Sequence, residues 1–310
     1  MRVVFMGTPD FAVGTLEAII ADGHEVAAVI TQPDKPKGRG KSIQFTPVKE
    51  VALTHELPVL QPKKVRDLEF VEELRKLNPE VIVVVAFGQI IPQAVLDIPK
   101  YGCLNVHASL LPKYRGAAPI QWAVIDGEKE SGVTIMRMDA GLDTGDMIKK
   151  VVVSLDDKET GGTLFDKLSQ AGAKLLVDVL KDIEAGSAVY EKQPQESTTE
   201  YAKMIDKKMG QIDWNQSAEV IERLIRGLNP WPSAYTHING KTLKIWEADV
   251  IEENSGKPGE ILKVTKKEIL VQAGKKALSL QEVQLEGKKR MHADAFLRGY
   301  SLEEGTFLGA

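Results

Sequence analysis

Two textures alternate through the first half of the chain. Val3–Met6, Val26–Thr31, Val59–Gln61, Val81–Phe87 and Leu104–His107 are short runs of mostly apolar residues. Between them, Phe11–Asp22, Val48–His55 and Leu68–Leu77 place apolar residues every three or four positions. The first pattern predicts strands and the second predicts helices that bury one face. Val81-Ile82-Val83-Val84-Val85 is apolar at even and odd positions alike, as a strand covered on both sides requires. Strands separated by crossover helices predict an α/β domain with a doubly wound, mostly parallel, Rossmann-like sheet. Such sheets bind ligands beyond the carboxyl ends of their strands. Gly7-Thr8-Pro9, Phe87-Gly88 and Asn105–Pro112 fall at those ends.

Further on, Gly132–Met138 and Lys149–Leu155 read as two strands joined through the turn-rich Gly141–Asp146, which predicts a hairpin. Thr160–Ala185 reads as a long amphipathic helix capped by Thr160 or Thr163. Periodicity is lost after Tyr190. A polar linker is expected over 190–206, with Gln193–Thr199 at its centre. One helix, Ala218–Gly227, and five short strands follow: Ala234–Ile238, Leu243–Trp246, Gly259–Val264, Ile269–Ala273 and Ala277–Leu285. Asn239-Gly240 between the first two is a hairpin signal. The expected organisation is a catalytic domain over 1–189, the linker, and a small OB-like β-barrel domain over 207–310.

Composition narrows the function classes. The 310 residues suit two domains, and 43% hydrophobic with 27% charged residues is ordinary for a globular protein. A net charge of −4 excludes a uniformly basic nucleic-acid binder. One cysteine, Cys103, excludes a disulfide framework and a thiolate zinc site and fits a reducing compartment. No apolar run reaches the roughly 18 residues of a membrane span, and the chain opens directly on a strand, so a cytoplasmic location is expected. Charge is nevertheless uneven. The long segment 33–49 carries Lys35, Lys37, Arg39, Lys41 and Lys49 against Asp34. Read blandly it is a solvated loop, but long loops in compact domains are more often functional. Glycines on both sides of Arg39 let a guanidinium approach a phosphate closely. From Lys207 to Ala310 there are 16 Lys and Arg against 14 Asp and Glu, a mild basic bias.

The candidate chemistry centres on Asn105-Val106-His107. Side chains alternate along a strand, so Asn105 and His107 share a face. An amide and an imidazole side by side can hold a developing oxyanion and move a proton. A strand cap with one satisfied histidine is the competing reading. Asp143 lies between Gly141 and Gly145, where it is either a turn residue or a carboxylate that orients His107. The Gly-x-Gly-x-x-Gly fingerprint is absent after the first strand, which argues against a nicotinamide cofactor. No two histidines have metal-ligand spacing, so no metal is expected.

Met6-Gly7-Thr8-Pro9-Asp10-Phe11, Gln32-Pro33-Asp34 with Gly38-Arg39-Gly40-Lys41, Asn105-Val106-His107, Ser109–Pro112 with Tyr114–Ile120, and Gly141–Gly145 together carry a resemblance. Over nearly its whole length the chain resembles the methionyl-tRNA formyltransferases. The Asn-x-His motif with a later Asp is shared with the wider 10-formyltetrahydrofolate-using superfamily. The resemblance implies transfer of a formyl group from 10-formyltetrahydrofolate to the α-amino group of initiator methionyl-tRNA, with Asn105, His107 and Asp143 catalytic and no metal. It also implies that Ser109, Leu110, Leu111 and Pro112 line the folate site, with loops around Phe87–Ile91 and Asp139–Leu142 flanking the pterin. Lys37, Arg39 and Lys41 would then meet the tRNA. The sequence is silent on oligomeric state, and a monomer is the working expectation. Two alternatives stay open: the same chemistry on a small acceptor such as a nucleotide-sugar, and a nucleic-acid-binding module whose sheet domain is degenerate.

Overall fold

The structure, a computed structural model, describes residues 1–37 and 42–309. In chain order its first half contains β1 (Arg2–Gly7), α1 (Asp10–Ala21), β2 (Glu25–Ile30), β3 (Lys35–Lys37), β4 (Ser42–Gln44), α2 (Pro47–Thr54), β5 (Val59–Leu60) and α3 (Leu68–Lys76). Then come β6 (Val81–Val85), α4 (Gln93–Leu96), β7 (Cys103–His107), α5 (Pro119–Ile125), β8 (Glu130–Arg137), β9 (Met147–Ser154) and α6 (Gly161–Glu184). The chain divides into two units. The first comprises Met1–Pro119, Glu130–Ser154 and Phe165–Ala202, the second Ile120–Lys129, Leu155–Leu164 and Lys203–Ala310.

The first unit is built on a seven-stranded sheet of order β5-β2-β1-β6-β7-β8-β9. Its five strands from β5 to β7 are parallel, whereas β8 and β9 are antiparallel to their neighbours. The expected mostly parallel sheet is therefore present, with the expected hairpin at its edge. All five residues of β6 are buried, which is why that strand is apolar throughout. Strand order reverses between β1 and β6, so the carboxyl ends of these strands and of β7 border a switch point. Thr8 after β1 and Gln32 after β2 both donate to the Phe87 carbonyl after β6, at 3.0 and 3.2 Å. Helix α6 closes on β7 at Gly172, where a Cβ would lie 2.9 Å from Val106 Cγ1. Thr160 and Thr163 cap α6 reciprocally, as expected. Pro9, in extended conformation, is the N-cap residue of α1.

The basic segment holds a short antiparallel hairpin, β3–β4, that the sequence pattern did not predict. Its base is fixed. Lys49 Nζ lies 2.5 Å from Asp34 Oδ2 and donates to Gln61 Oε1, and Gln61 Nε2 donates to Asp34 Oδ1. The Lys49 ammonium and the Gln61 amide hold the Asp34 carboxyl below the usual carboxylate range.

The second unit adds α7 (Ala218–Gly227), β10 (Ala234–Ile238), β11 (Lys241–Ile251), β12 (Ile261–Val264), β13 (Ile269–Gln272), β14 (Ala277–Leu285), β15 (Met291–His292) and α8 (Ala293–Gly299). Its antiparallel sheet runs β10-β11-β14-β13-β12, with β15 on β14. The predicted Asn239-Gly240 hairpin joins β10 to β11, both turn residues having positive φ. Among the described residues β10 and β12 do not pair, so the hydrogen bonding stays open where a closed barrel would join. Ile221 and Ile225 of α7 seal the core beneath the sheet, beside Trp214, Ile245, Val271 and Leu280.

Candidate active site

β7 lies between β6 and β8, with Asn105 opposite Val84 on one side and Met136 on the other. This pairing fixes which face Asn105 and His107 share. His107 is buried, 6% exposed, and Asn105 is half-buried. The Asn105 carboxamide has no hydrogen-bond partner among the described residues, so its N–H and C=O remain available at the strand end. Cys103 opens the same strand, and burial pushes its thiol up to about 12. A buried, protonated thiol is a poor nucleophile.

The structure brings Asp143 to His107. Asp143 Oδ1 lies 3.8 Å from His107 Nδ1, while Nε2 is 3.0 Å from the Tyr114 carbonyl. Both ring nitrogens thus face oxygen acceptors, and a protonated ring donates toward each. Asp143 Oδ2 accepts from the Gly116 N–H at 2.9 Å. Asp143 has φ of 56°, a conformation that Asp tolerates better than most residues.

The loop after β7 is held from below. Buried Thr134 on β8 donates to the Ser109 carbonyl at 2.7 Å and accepts from the Leu111 N–H at 3.1 Å. Ser109 donates to the Lys113 carbonyl at 2.6 Å, and Lys150 Nζ reaches the Leu111 carbonyl. Among the residues expected to line the folate site, Ser109 and Leu111 are buried, whereas Leu110 and Pro112 are half-buried. Leu111 packs with Met136 and Met147. Ile90 and Leu142, in the two loops expected to flank the pterin, are exposed large apolar residues at 78% and 58%.

Several residues that the sequence pattern did not single out complete the arrangement. Arg115 is buried and donates to Gln193 Oε1 through Nε and Nη2, and to the Pro194 and Gln195 carbonyls. Gln193 Nε2 donates in turn to the carbonyls of Asp143 and Gly145. The polar stretch read as linker therefore runs along the first unit. Thr199 accepts from the Tyr114 N–H, Ser197 donates to the Pro112 carbonyl, and Ala202 bridges Gly116. A charged residue, Arg115, directly before the small Gly116-Ala117-Ala118 was the available signal.

Of the three basic residues expected to meet tRNA, Lys37 lies on β3, and Arg39 and Lys41 lie outside the described residues. Lys49 is committed to Asp34. In the second unit Lys263, Lys276 and Arg290 pair with Glu268, Glu219 and Glu282, so part of the lysine-rich surface is neutralised. Trp246 remains flanked by Lys244 and by Arg290, whose guanidinium lies 4.6 Å from the ring centre. A cavity of about 240 Å³ in the second unit, lined in part by Glu222, Arg223 and Arg226, shares no residue with the Asn105–His107–Asp143 cluster. No group of three or more His, Cys, Asp or Glu among the described residues could hold a metal, and no helix there is long and apolar enough to cross a membrane.

The chain matches the formyl transferase family over residues 1–180 and the formyl transferase C-terminal domain over 204–301. It is 63% identical to the methionyl-tRNA formyltransferase of Agathobacter rectalis over 308 residues, 99% of each chain. It is 52% identical to that of Caldanaerobacter subterraneus, covering 99% of this chain and 100% of the other. Solved structures of similar fold include the N-formyltransferase of Helicobacter canadensis in complex with folinic acid and dTDP-3-aminofucose (TM-score 0.67, 21% identity, 90% of this chain and 99% of that one). Another is HypX of Aquifex aeolicus with tetrahydrofolic acid (TM-score 0.64, 19% identity), where 99% of this chain spans about half, 51%, of the larger protein.

Proposed function

The chain belongs to the formyl transferase family, among its methionyl-tRNA formyltransferases, and on that premise we propose that Asn105, His107 and Asp143 carry the transfer of a formyl group from 10-formyltetrahydrofolate to the α-amino group of initiator methionyl-tRNA. The methionyl nitrogen attacks the formyl carbon, and the carbonyl π pair moves onto oxygen. The Asn105 carboxamide, otherwise unpartnered, donates to that oxyanion. The attacking amine loses a proton to His107, and the tetrahedral adduct collapses by expelling N10 of tetrahydrofolate, which takes a proton back through the same ring. Formyl-methionyl-tRNA and tetrahydrofolate are the products. His107 Nε2 exchanges the Tyr114 carbonyl for the reacting groups, while Asp143 faces Nδ1 and stabilises the charged ring.

The observation that carries this reading is the meeting of a free strand-end carboxamide, a buried imidazole and a carboxylate from a separate loop. In the same reading Leu110 and Pro112, half-buried above Ser109 and Leu111, border the folate, and Lys37, Arg39 and Lys41 approach the acceptor end of the tRNA. The protein acts as a monomer in the cytoplasm. Formyl transfer from 10-formyltetrahydrofolate to charged initiator tRNA, with elongator methionyl-tRNA and an amino-sugar nucleotide as competing acceptors, is the test. Transfer to initiator methionyl-tRNA alone is expected, whereas preference for the amino-sugar would overturn the acceptor assignment.

A further inference from the structure

His107 and Asp143 are both gripped by one tripeptide, Tyr114-Arg115-Gly116. The Tyr114 carbonyl accepts from His107, the Gly116 N–H donates to Asp143 Oδ2, and the Arg115 side chain turns the other way to hold Gln193. Gln193 then returns to the same loop through its amide N–H groups, 2.9 Å from the Asp143 carbonyl and 2.7 Å from that of Gly145. Its orientation is dictated chemically, because the guanidinium demands the amide oxygen and the two carbonyls demand the amide nitrogen.

This closed circuit has a specific task. Asp143 sits at positive φ, which disfavours a non-glycine backbone and persists only where neighbours enforce it. Gln193 ties the carbonyl of Asp143, and Gly116 ties one carboxylate oxygen. Oδ1 is left turned toward His107. We infer that Gln193, held by Arg115, is a positioning residue that sets Asp143 against His107. The inference rests on Asp143 serving the transfer reaction. Gln193 acts at one remove and touches neither substrate in this role.

Gln193→Glu is the discriminating change. It keeps the shape and the acceptor for Arg115 but replaces the donor with an oxygen facing two carbonyl oxygens. Misplacement of a catalytic group by a fraction of an ångström lowers turnover steeply. The expected result is a kcat reduced roughly 10- to 100-fold, with KM for the folate donor and for tRNA within about twofold of the parent. The pH–rate profile of Gln193→Glu should move as that of Asp143→Asn does. Added to Asp143→Asn, Gln193→Glu should cause no further loss, because both act on one contact. Gln193→Met, of similar length but without the donor, repeats the reading if Gln193→Glu lowers the melting temperature. A kcat within about twofold of the parent, or a loss that multiplies with that of Asp143→Asn, overturns the inference. An inactive Asp143→Asn beside an active Gln193→Glu removes Gln193 alone. A fully active Asp143→Asn removes the role of Asp143, and that of Gln193 with it.

Discussion

His107 sits on a strand and Asp143 on a loop, and the two are held by different means. His107 is placed by the sheet: β6 and β8 pair with β7 on either side, and the strand is buried except at half-buried Asn105. Shifting it by one residue would turn every side chain of β7 to the opposite face. Asp143 has no such frame. Its loop, between β8 and β9, relies on one hydrogen bond from Gly116, two from Gln193, and the close seat of Gly145 against Arg137. The proposed catalytic pair thus combines a member fixed by many cooperative backbone bonds with one fixed by a few side-chain bonds. The second is the more easily displaced.

The largest effects test both members together. Asn105→Ala, His107→Ala and Asp143→Ala should each lower turnover by about 100-fold or more, equivalent to roughly 3 kcal/mol, with tRNA affinity nearly unchanged. Single-turnover kinetics beside equilibrium tRNA binding would separate the two quantities, and normal turnover in any variant removes that residue from the mechanism. The loop alone is broken by Gly145→Ala, because a Cβ there would lie 1.9 Å from the Arg137 carbonyl oxygen. Turnover should fall by about tenfold, and a melting curve should shift down by several degrees. Unchanged kinetics would mean that the loop has more freedom than its contacts indicate.

On the strand side, Thr134→Val keeps the shape but orphans the buried Leu111 N–H and the Ser109 carbonyl. A loss of about 1–3 kcal/mol is expected in urea unfolding, with KM for the folate donor raised because Ser109–Pro112 loses its support. The smallest expected effect is none at all. Burial pushes the Cys103 thiol up to about 12, so it is protonated around neutral pH. Native protein should resist thiol reagents at pH 8 and keep full activity, whereas Leu142→Cys in a Cys103→Ala background should label readily from its exposed loop. Rapid labelling of Cys103 would show that β7 opens as easily as the loop does.

The same division decides what could be read from the chain. Parallel strands, their crossover helices and the β8–β9 hairpin leave periodic traces, because burial on a regular backbone imposes a period. Asn105 and His107 were legible for that reason: their shared face follows from strand geometry alone. Asp143 was legible as a candidate because glycines flank it, but its approach to His107 was not. The Arg115–Gln193 connection spans 78 residues of sequence and has no period. A glutamine in a polar stretch looks the same whether it floats in solvent or spans two carbonyls. The short α5 and α8 helices and the β3–β4 hairpin went unpredicted because they contain too few turns or pairs to show a pattern.

The position of Gln193 in the chain also sets an order of events during synthesis. Residues 1–189 already contain the whole sheet of the first unit, with Asn105 and His107 on β7 and Asp143 on the loop between β8 and β9. Residues 193–202, which supply the donor to the Asp143 carbonyl and the bridge to Gly116, emerge from the ribosome only afterwards. A nascent chain that stops short of them has the proposed reactive groups without these hydrogen bonds. On that proposal the site is completed late, and not when its last reactive side chain is made.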